Sequence, residues 1–155
     1  MTLRLVSIGA DADPDALARD LAPGFGGDEA TAREILAQTL ALLTRDPRPD
    51  PWGSYLAAHD GTTVGTCAFK SAPAEGEVEL AYMTFPAFEG RGHATSMVAA
   101  LAAIADAAGI LPFAHTLPRE NASNRALGRN RFTFAEELED PEDGYVWRWE
   151  RRRSG

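Results

Sequence analysis

The sequence is poor in cysteine and histidine, and this shortage excludes two kinds of stabilising site. Its 155 residues include one cysteine, Cys67, so an internal disulfide or a cysteine-rich metal cluster cannot form. The three histidines, His59, His93 and His115, lack the spacing of metal ligands. We therefore predict a protein without a bound metal.

Long apolar runs and an excess of positive charge are also missing. The longest apolar candidate, 97–111, is rich in alanine and is interrupted by Asp106 and Gly109, so we predict no membrane span. The first residues turn acidic too early for a secretory signal, which makes a cytoplasmic location the default expectation. A net charge of −8 argues against a general nucleic-acid binder. One short basic cluster, typical of a solvated tail, comprises Arg148, Arg151, Arg152 and Arg153.

The composition that is present belongs to an ordinary folded protein. Hydrophobic residues make up 45% and charged residues 25% of the chain, and its length favours a single domain over residues 1–155. Hydrophobic periodicity predicts one strand, two helices, three strands, a helix, a strand, a helix and two strands. The predicted strands are 2–8, 52–59, 63–70, 77–85, 111–117, 132–138 and 145–150. Two predicted helices begin after the caps Asp13 and Asp28. Two further helices are predicted at about 93–108 and 121–130.

This order of elements predicts an α/β (α+β) fold in which about four helices cover the faces of a mixed sheet. The connection through helix 93–108 requires the strands on either side of it to run parallel. Asp60-Gly61 fits a tight hairpin turn, which predicts that strands 52–59 and 63–70 are antiparallel.

The loop between strand 77–85 and helix 93–108 has the chemistry of an anion site. Gly90 and Gly92 allow the backbone to turn its N–H groups inward, and the following helix adds its own unpaired N–H groups. Arg91 adds a cation at the rim. A simple strand-to-helix turn is the alternative, since short glycine motifs are common. The glycine spacing is neither a dinucleotide fingerprint nor a P-loop.

Two motifs together resemble the GNAT superfamily of N-acetyltransferases. EGRGHA at 89–94 is similar to its motif A, Q/R-x-x-G-x-G/A, and ENASNRALGRNRF at 120–132 is similar to its motif B, N-x-x-S-x-R-x-L-x-K-x-G-F. The resemblance is closest to the branch that includes ribosomal-protein alanine acetyltransferases, and it covers nearly all of 52–150. It implies a mostly antiparallel sheet splayed between its fourth and fifth strands.

Three features depart from the family pattern. Glu89 replaces an arginine or glutamine and puts a carboxylate near the pyrophosphate site. Asn121 and Ser123 are spaced N-x-S rather than N-x-x-S. Arg131 replaces a glycine at a position that favours left-handed backbone, which should cost about 1 kcal/mol of stability.

The resemblance implies that acetyl-coenzyme A is the co-substrate, with no metal. Its pyrophosphate is expected on the glycine loop and its pantetheine arm on the preceding strand. Backbone amides around 83–85 are expected to bond the thioester oxygen, because the neighbouring strand diverges there. The residues implied in cofactor binding are Met83, Thr84, Phe85, Gly90, Arg91, Gly92, His93, Ala94, Thr95 and Asn121.

The catalytic candidates are Glu79, His115 and Ser123. We favour Glu79 as the base that takes the proton of the amine, although a solvent-facing strand glutamate is the alternative. His115 lies on the opposing strand and ranks second, since such a histidine is more often a core residue. Ser123 is the candidate proton donor for the departing thiolate, with helix capping as its other role. Glu77 and water remain alternatives for the base. Tyr82 and Tyr145 remain alternatives for the proton donor.

The expected partner is a primary amine, either a peptide N-terminus or a small molecule, that attacks directly in a ternary complex. The acidic surface would attract a cationic amine, but many acidic proteins bind none. A non-catalytic acyl-coenzyme A-binding module is the alternative function, and transfer of a longer acyl group is a third. No nucleic-acid or membrane partner is expected, and a homodimer is left open.

Overall fold

The computed structural model describes residues 3–9, 11–45 and 48–151, and these residues form the elements in the predicted order. The strands are β1 (Leu3–Ser7), β2 (Ser54–His59), β3 (Thr62–Phe69), β4 (Glu77–Thr84), β5 (Leu111–Thr116), β6 (Thr133–Asp140) and β7 (Gly144–Glu150). The helices are α1 (Pro14–Leu21), α2 (Glu29–Arg45), α3 (His93–Ala107) and α4 (Ala122–Arg129). Short 3-10 turns occupy Ala22–Phe25 and Pro86–Phe88.

The first two helices begin at the aspartates that the sequence indicates. The Asp13 carboxylate accepts a hydrogen bond from the Asp15 N–H, and Pro14 is the first helical residue. The Asp28 carboxylate accepts one from the Thr31 N–H at 3.1 Å. Each carboxylate satisfies an N–H group that has no partner within its helix, so both predicted caps are confirmed.

One sheet contains all seven strands, in the order β1-β2-β3-β4-β5-β7-β6. β4 and β5 run parallel on either side of α3, as predicted, and the other neighbouring strands are antiparallel. The parallel pairing joins 77–79 of β4 to 111–113 of β5. Beyond those residues β5 pairs with β7 alone, and β4 with β3 alone. The sheet is therefore splayed between its fourth and fifth strands, which confirms that prediction.

The alternation of side chains along β4 explains why the sheet is covered on both faces. Leu80 points to a core beneath α3, where it packs with Met97 and Leu101. Met83 points to the opposite face and packs against a smaller core beneath α1 and α2 that includes Leu21 and Leu36. Each face of β4 thus buries apolar surface, while one edge of its second half has no partner strand.

The basic cluster near the C-terminus is partly structured, which corrects the expectation of a solvated tail. Arg148 lies in β7, 3.9 Å above the ring of Phe113, and its guanidinium donates to Glu77 at 2.6 Å. Arg151 pairs with Asp106 at the end of α3. These contacts tie β7 to its neighbours. The two other members, Arg152 and Arg153, lie outside the described residues.

In the described part of the chain, no helix has the length and apolarity required to cross a bilayer. The same residues contain no group of three or more His, Cys, Asp or Glu side chains arranged to hold a metal ion.

Candidate active site

The glycine loop before α3 folds as an anion-binding nest. Gly90 and Gly92 have positive φ angles of 78° and 82°. A Cβ added at either position would meet no atom within 4 Å, so backbone conformation rather than crowding requires glycine. Gly92 caps α3 without any side-chain hydrogen bond, and the first turn of the helix has no acidic residue. The N–H groups of 93–95 therefore remain free for an anion.

A cavity of about 800 Å³ lies against this nest. It extends from the end of β4, across the start of α3, to α4. The cavity contains most of the residues implied in cofactor binding. Those in its wall are Met83, Thr84, Gly90, Gly92, His93, Ala94 and Thr95.

The charges around this cavity include two arginines that the sequence analysis missed. Arg125 and Arg129 lie one turn apart on α4 and both line it. Their spacing of four residues in motif B is a signal that could have identified them, because such residues share a helix face. Glu89, an exposed carboxylate, also lines the cavity. Arg91 lies beside it, with its guanidinium 5.8 Å from the centre of the Phe88 ring.

The backbone of β4 corrects one part of the cofactor prediction. The Phe85 N–H donates to the Val64 carbonyl on β3 at 2.8 Å, so it is not available to a ligand. Since alternate residues of a strand bond to the same neighbour, the N–H of Met83 also faces β3. The N–H groups of Tyr82 and Thr84 face the opposite way, towards the gap beside β5. The prediction for the Met83 and Phe85 amides is wrong, whereas Thr84 of the predicted range, together with Tyr82, presents an unpaired donor.

The start of α4 assigns different roles to two predicted residues. Asn121 is the N-cap, and its side-chain oxygen accepts a hydrogen bond from the Asn124 N–H at 3.0 Å. Ser123 is therefore not the cap, and its side chain is available for another role. At the other end of α4, Asn130 donates to the Thr95 carbonyl at 3.0 Å. This bond holds the helix against the first turn of α3.

A second cavity, of about 300 Å³, fills the gap where β4 and β5 diverge. Its lining includes all three catalytic candidates, Glu79, His115 and Ser123. Ser123 and Tyr82 line both cavities and so form their common wall. The structure thus brings the candidate base and the candidate proton donor to one space that adjoins the glycine loop.

Five side chains in and beside this gap form a charged group, which we call the splay cluster: Lys70, Glu79, His115, Asp140 and Asp143. The Glu79 carboxylate lies 3.3 Å from the Lys70 ammonium and 3.6 Å from His115 Nδ1. Asp140 lies 3.5 Å from the same imidazole nitrogen, and Asp143 lies 3.7 Å from the ammonium. Glu79 is 17% exposed, which overturns the alternative of a solvent-facing strand glutamate.

Electrostatic interactions within the cluster favour the charged forms of two members. Burial works to lower the pKa of Lys70, but the carboxylates of Glu79, Asp143 and Asp140 outweigh it and raise that pKa. The pKa of Asp140 is lowered by the backbone N–H groups of Glu142 and Asp143, which donate to its carboxylate at 2.8 and 3.1 Å. The hairpin turn thereby holds Asp140 ionised beside His115.

Three buried polar atoms facing the gap have no hydrogen-bond partner. They are the Tyr82 hydroxyl oxygen and both imidazole nitrogens of His115. Burial raises the pKa of Tyr82, and the nearby Ser123 hydroxyl opposes this in part without making a hydrogen bond of good geometry. Buried polar groups normally find partners, so these atoms indicate where a bound molecule is expected to supply them.

The remaining alternatives lie away from the cluster. Glu77 shares a strand face with Glu79 but pairs with Arg148 at the other end of β4. Tyr145 is 62% exposed. His93 is buried at the start of α3, with its ring 5.1 Å from that of His59. Burial, followed by the proximity of His59 and Arg91, lowers the pKa of His93.

Comparisons with known proteins agree with this architecture. Residues 4–133 match the family described as acetyltransferase (GNAT) domain. No curated protein sequence matches the chain. Among solved structures, the chain is similar to RimL, a ribosomal L7/L12 alpha-N-protein acetyltransferase in complex with coenzyme A. The TM-score is 0.70 and the identity 17%, over 97% of this chain and 94% of that chain.

Two further structures have the same fold. AAC(6')-Ib in complex with ribostamycin and coenzyme A gives a TM-score of 0.71 at 15% identity, over 99% of this chain and 94% of that chain. The N-acetyltransferase PseH of Campylobacter jejuni, in complex with acetyl coenzyme A, gives 0.67 at 14% identity, over 98% and 99%. At such identities the likeness concerns the fold alone.

Proposed function

The chain belongs to the GNAT family of acetyltransferases, and on that premise we propose that it transfers an acetyl group from acetyl-coenzyme A to a primary amine. The acceptor is a small molecule or a peptide N-terminus, and both substrates are bound together. One observation carries the proposal: two cavities share the wall formed by Tyr82 and Ser123, with the glycine nest in one and Glu79 in the other.

The residues of the larger cavity fit acetyl-coenzyme A, which supplies an acetyl group activated as a thioester. The free N–H groups at the start of α3 suit its pyrophosphate, and Arg125 and Arg129 add positive charge to the same cavity. The N–H groups of Tyr82 and Thr84 face the gap between β4 and β5. They are suited to bind the pantetheine arm and to stabilise the thioester oxygen as it gains charge.

The transfer forms a C–N bond between amine and acetyl group and breaks the C–S bond of the thioester. The amine loses a proton, which we assign to Glu79 because its carboxylate lies in the gap and is 17% exposed. The thiolate gains a proton, which we assign to the hydroxyl pair of Ser123 and Tyr82. Burial raises the pKa of Tyr82, so that hydroxyl keeps its proton at neutral pH and remains able to donate.

His115 is the second candidate for the base. Its Nδ1 lies 3.6 Å from Glu79, so the two groups share one site. The contact supports a role for His115 in orienting Glu79 or in passing on its proton.

Binding of acetyl-coenzyme A tests the cofactor site. A ligand at about 100 times its Kd stabilises the folded state by about 2.7 kcal/mol. With an unfolding entropy of about 2.1 cal/mol/K per residue, this raises the Tm of a chain of this size by about 8 °C. Gly92→Asp should abolish the shift, since it places a carboxylate and a strained backbone in the nest.

The matched control is Gly76→Asp. Gly76 also has a positive φ, 80°, with open space around it, but it lies in the loop before β4. That variant carries the same strain and charge and should keep the shift. An unchanged melting temperature of the parent protein, or equal shifts in the two variants, would show that the cofactor site is wrong. Binding without release of free thiol in the presence of any amine would instead indicate a non-catalytic acyl-coenzyme A-binding protein.

A further inference from the structure

The splay cluster already holds one alkylammonium group. Lys70 is the sole lysine of the chain. Its ammonium lies between the carboxylates of Glu79 and Asp143, at 3.3 and 3.7 Å. The three carboxylates and the ammonium in this part of the fold come from three different chain segments. Two carboxylates of the cluster thus pair with a cationic nitrogen that belongs to the chain itself.

The cluster has more negative charge than Lys70 can balance. Three carboxylates, those of Glu79, Asp140 and Asp143, oppose one ammonium, which leaves an excess of two negative charges when His115 is neutral. The neighbouring arginine of the same sheet face, Arg148, is engaged by Glu77 and Glu150 and does not offset this excess. The raised pKa of Lys70 is consistent with this excess negative charge, because the carboxylates outweigh the effect of burial on that pKa.

An independent observation indicates that a ligand completes the cluster. His115 is 10% exposed and lines the gap, and neither of its nitrogens has a hydrogen-bond partner. Its Nδ1 faces Asp140 and Glu79, at 3.5 and 3.6 Å. An unsatisfied buried imidazole is costly, so a polar group bound in the gap would remove that cost.

We propose that the acceptor of this enzyme is an amine that carries a second cationic group. One nitrogen is acetylated beside Glu79, and the other remains an ammonium that pairs with Asp140 and Asp143. This inference rests on the proposed function and specifies its substrate class. An acceptor with a carboxylate at the same distance would meet like charge, which disfavours it.

The test compares kcat/KM for three amines of equal chain length: 1,4-diaminobutane, butylamine and 4-aminobutyrate. At the end far from the acetylated nitrogen, they present an ammonium, a methyl group and a carboxylate, respectively. Free thiol and the mass of the product are measured. The diamine should exceed butylamine by about fivefold or more, since one well-placed ion pair contributes about 1 kcal/mol, and 4-aminobutyrate should be the poorest.

Two variants assign this preference to the cluster. Asp140→Asn retains an oxygen for the hydrogen bonds of the hairpin turn and removes the charge, and Asp143→Asn removes the second charge. Each should lower the ratio of diamine to butylamine by about threefold to tenfold. Glu142→Gln is the matched control. It makes the same change in net charge in the same turn, at an exposed side chain, and should keep the ratio.

The outcomes separate this inference from the proposed function. If neither the three amines nor the two peptide amides described below are acetylated although acetyl-coenzyme A binds, the proposed function fails and the inference fails with it. If butylamine or 4-aminobutyrate matches the diamine, or if the aspartate variants keep the ratio of the parent, the substrate class is wrong and the transferase activity stands. Two tripeptide amides test whether the second cation belongs to a peptide. Preference for the amide of Ala-Lys-Ala over that of Ala-Glu-Ala, without use of the diamine, would support the same chemistry on a peptide.

Discussion

Arg131 is a position where substitution by glycine should stabilise the protein. It follows α4 with a left-handed φ of 68°. Its N–H donates to the Gly128 carbonyl at 3.1 Å, and the N–H of Phe132 donates to the Leu127 carbonyl at 3.0 Å. These two bonds define a Schellman motif, whose left-handed residue is usually glycine. The structure thus places Arg131 in the conformation that its sequence position indicates.

The expected gain follows from the backbone at this residue. A side chain with a Cβ in the left-handed region costs about 1 kcal/mol or more. Glycine removes that strain but loses more backbone entropy on folding, so Arg131→Gly should raise the free energy of unfolding by about 0.5–1 kcal/mol. The Arg131 side chain is exposed, so its removal takes no buried contact away. For a chain of this size the gain corresponds to a rise in Tm of about 1.5–3 °C.

Thermal and urea unfolding of three proteins would test this reasoning. Arg131→Ala removes the long side chain but keeps the Cβ, so it should stay close to the parent protein. Arg131→Gly should be the more stable variant, at an unchanged m-value. If the glycine variant is less stable than the parent, the arginine makes stabilising contacts. If alanine and glycine give equal gains, the benefit comes from losing the side chain and not from the backbone.

Three further changes probe the site. Glu79→Gln should lower kcat by about 10²–10⁴-fold, the usual contribution of a positioned base, and should leave the melting shift with acetyl-coenzyme A intact. Glu89→Gln should tighten acetyl-coenzyme A binding by about twofold to fivefold by calorimetry, since it removes an exposed carboxylate from the cavity of the pyrophosphate. His93→Gln should flatten the rise of Tm with pH below about 6.5. Burial lowers the pKa of His93, so the unfolded state binds the extra proton and stability falls as the pH falls through that range.

Each of these has an outcome that contradicts it. Full activity of Glu79→Gln would transfer the role of base to His115 or to water. The charge control for this variant is Glu75→Gln, which makes the same change in charge on the exposed loop before β4. Unchanged or weaker binding by Glu89→Gln would mean that the carboxylate does not affect the bound phosphates. An equal pH slope in His93→Gln and the parent protein would show that other groups cause the slope.

The features that the sequence predicts well are those determined within a short segment. The caps Asp13 and Asp28, the paired glycines of the loop and the left-handed residue Arg131 each depend on a few neighbouring residues. The parallel pair β4 and β5 follows from the intervening helix. The gap between these strands came from the family resemblance, because periodicity does not indicate where two strands separate.

The sequence indicates Glu79 and His115 of the splay cluster but not its other three members, because those come from distant segments. Lys70 follows β3, whereas Asp140 and Asp143 belong to the hairpin of β6 and β7. Their proximity depends on β7 pairing with β5 inside the sheet, which reverses the order of the last two strands. A sole lysine among many arginines was the one local signal, and composition alone gives no position in space.

The direction of the β4 amides shows a second limit. Side-chain alternation along 77–85 is readable from the sequence, and it correctly puts Glu79 and Met83 on one face. Which edge each N–H faces depends on the register with β3, which pairs Thr66 with Met83. A shift of one residue exchanges the two sets of donors. This is why the amide of Phe85 was expected in the gap, where those of Tyr82 and Thr84 are found.

The end of β4 is held from two sides, and this explains how its second half can remain without a partner strand on the β5 edge. On its β3 edge the strands approach so closely that a Cβ on Gly65 would overlap the carbonyl oxygen of Met83. On the helix face, Phe85 is fully buried, and a Cβ on Gly24 would lie 2.6 Å from its ring. Packing on these sides fixes the strand, so its β5 edge does not need a partner for stability. The unpaired N–H groups along that edge are then preorganised for a substrate, because the fold has already met the cost of holding them in place.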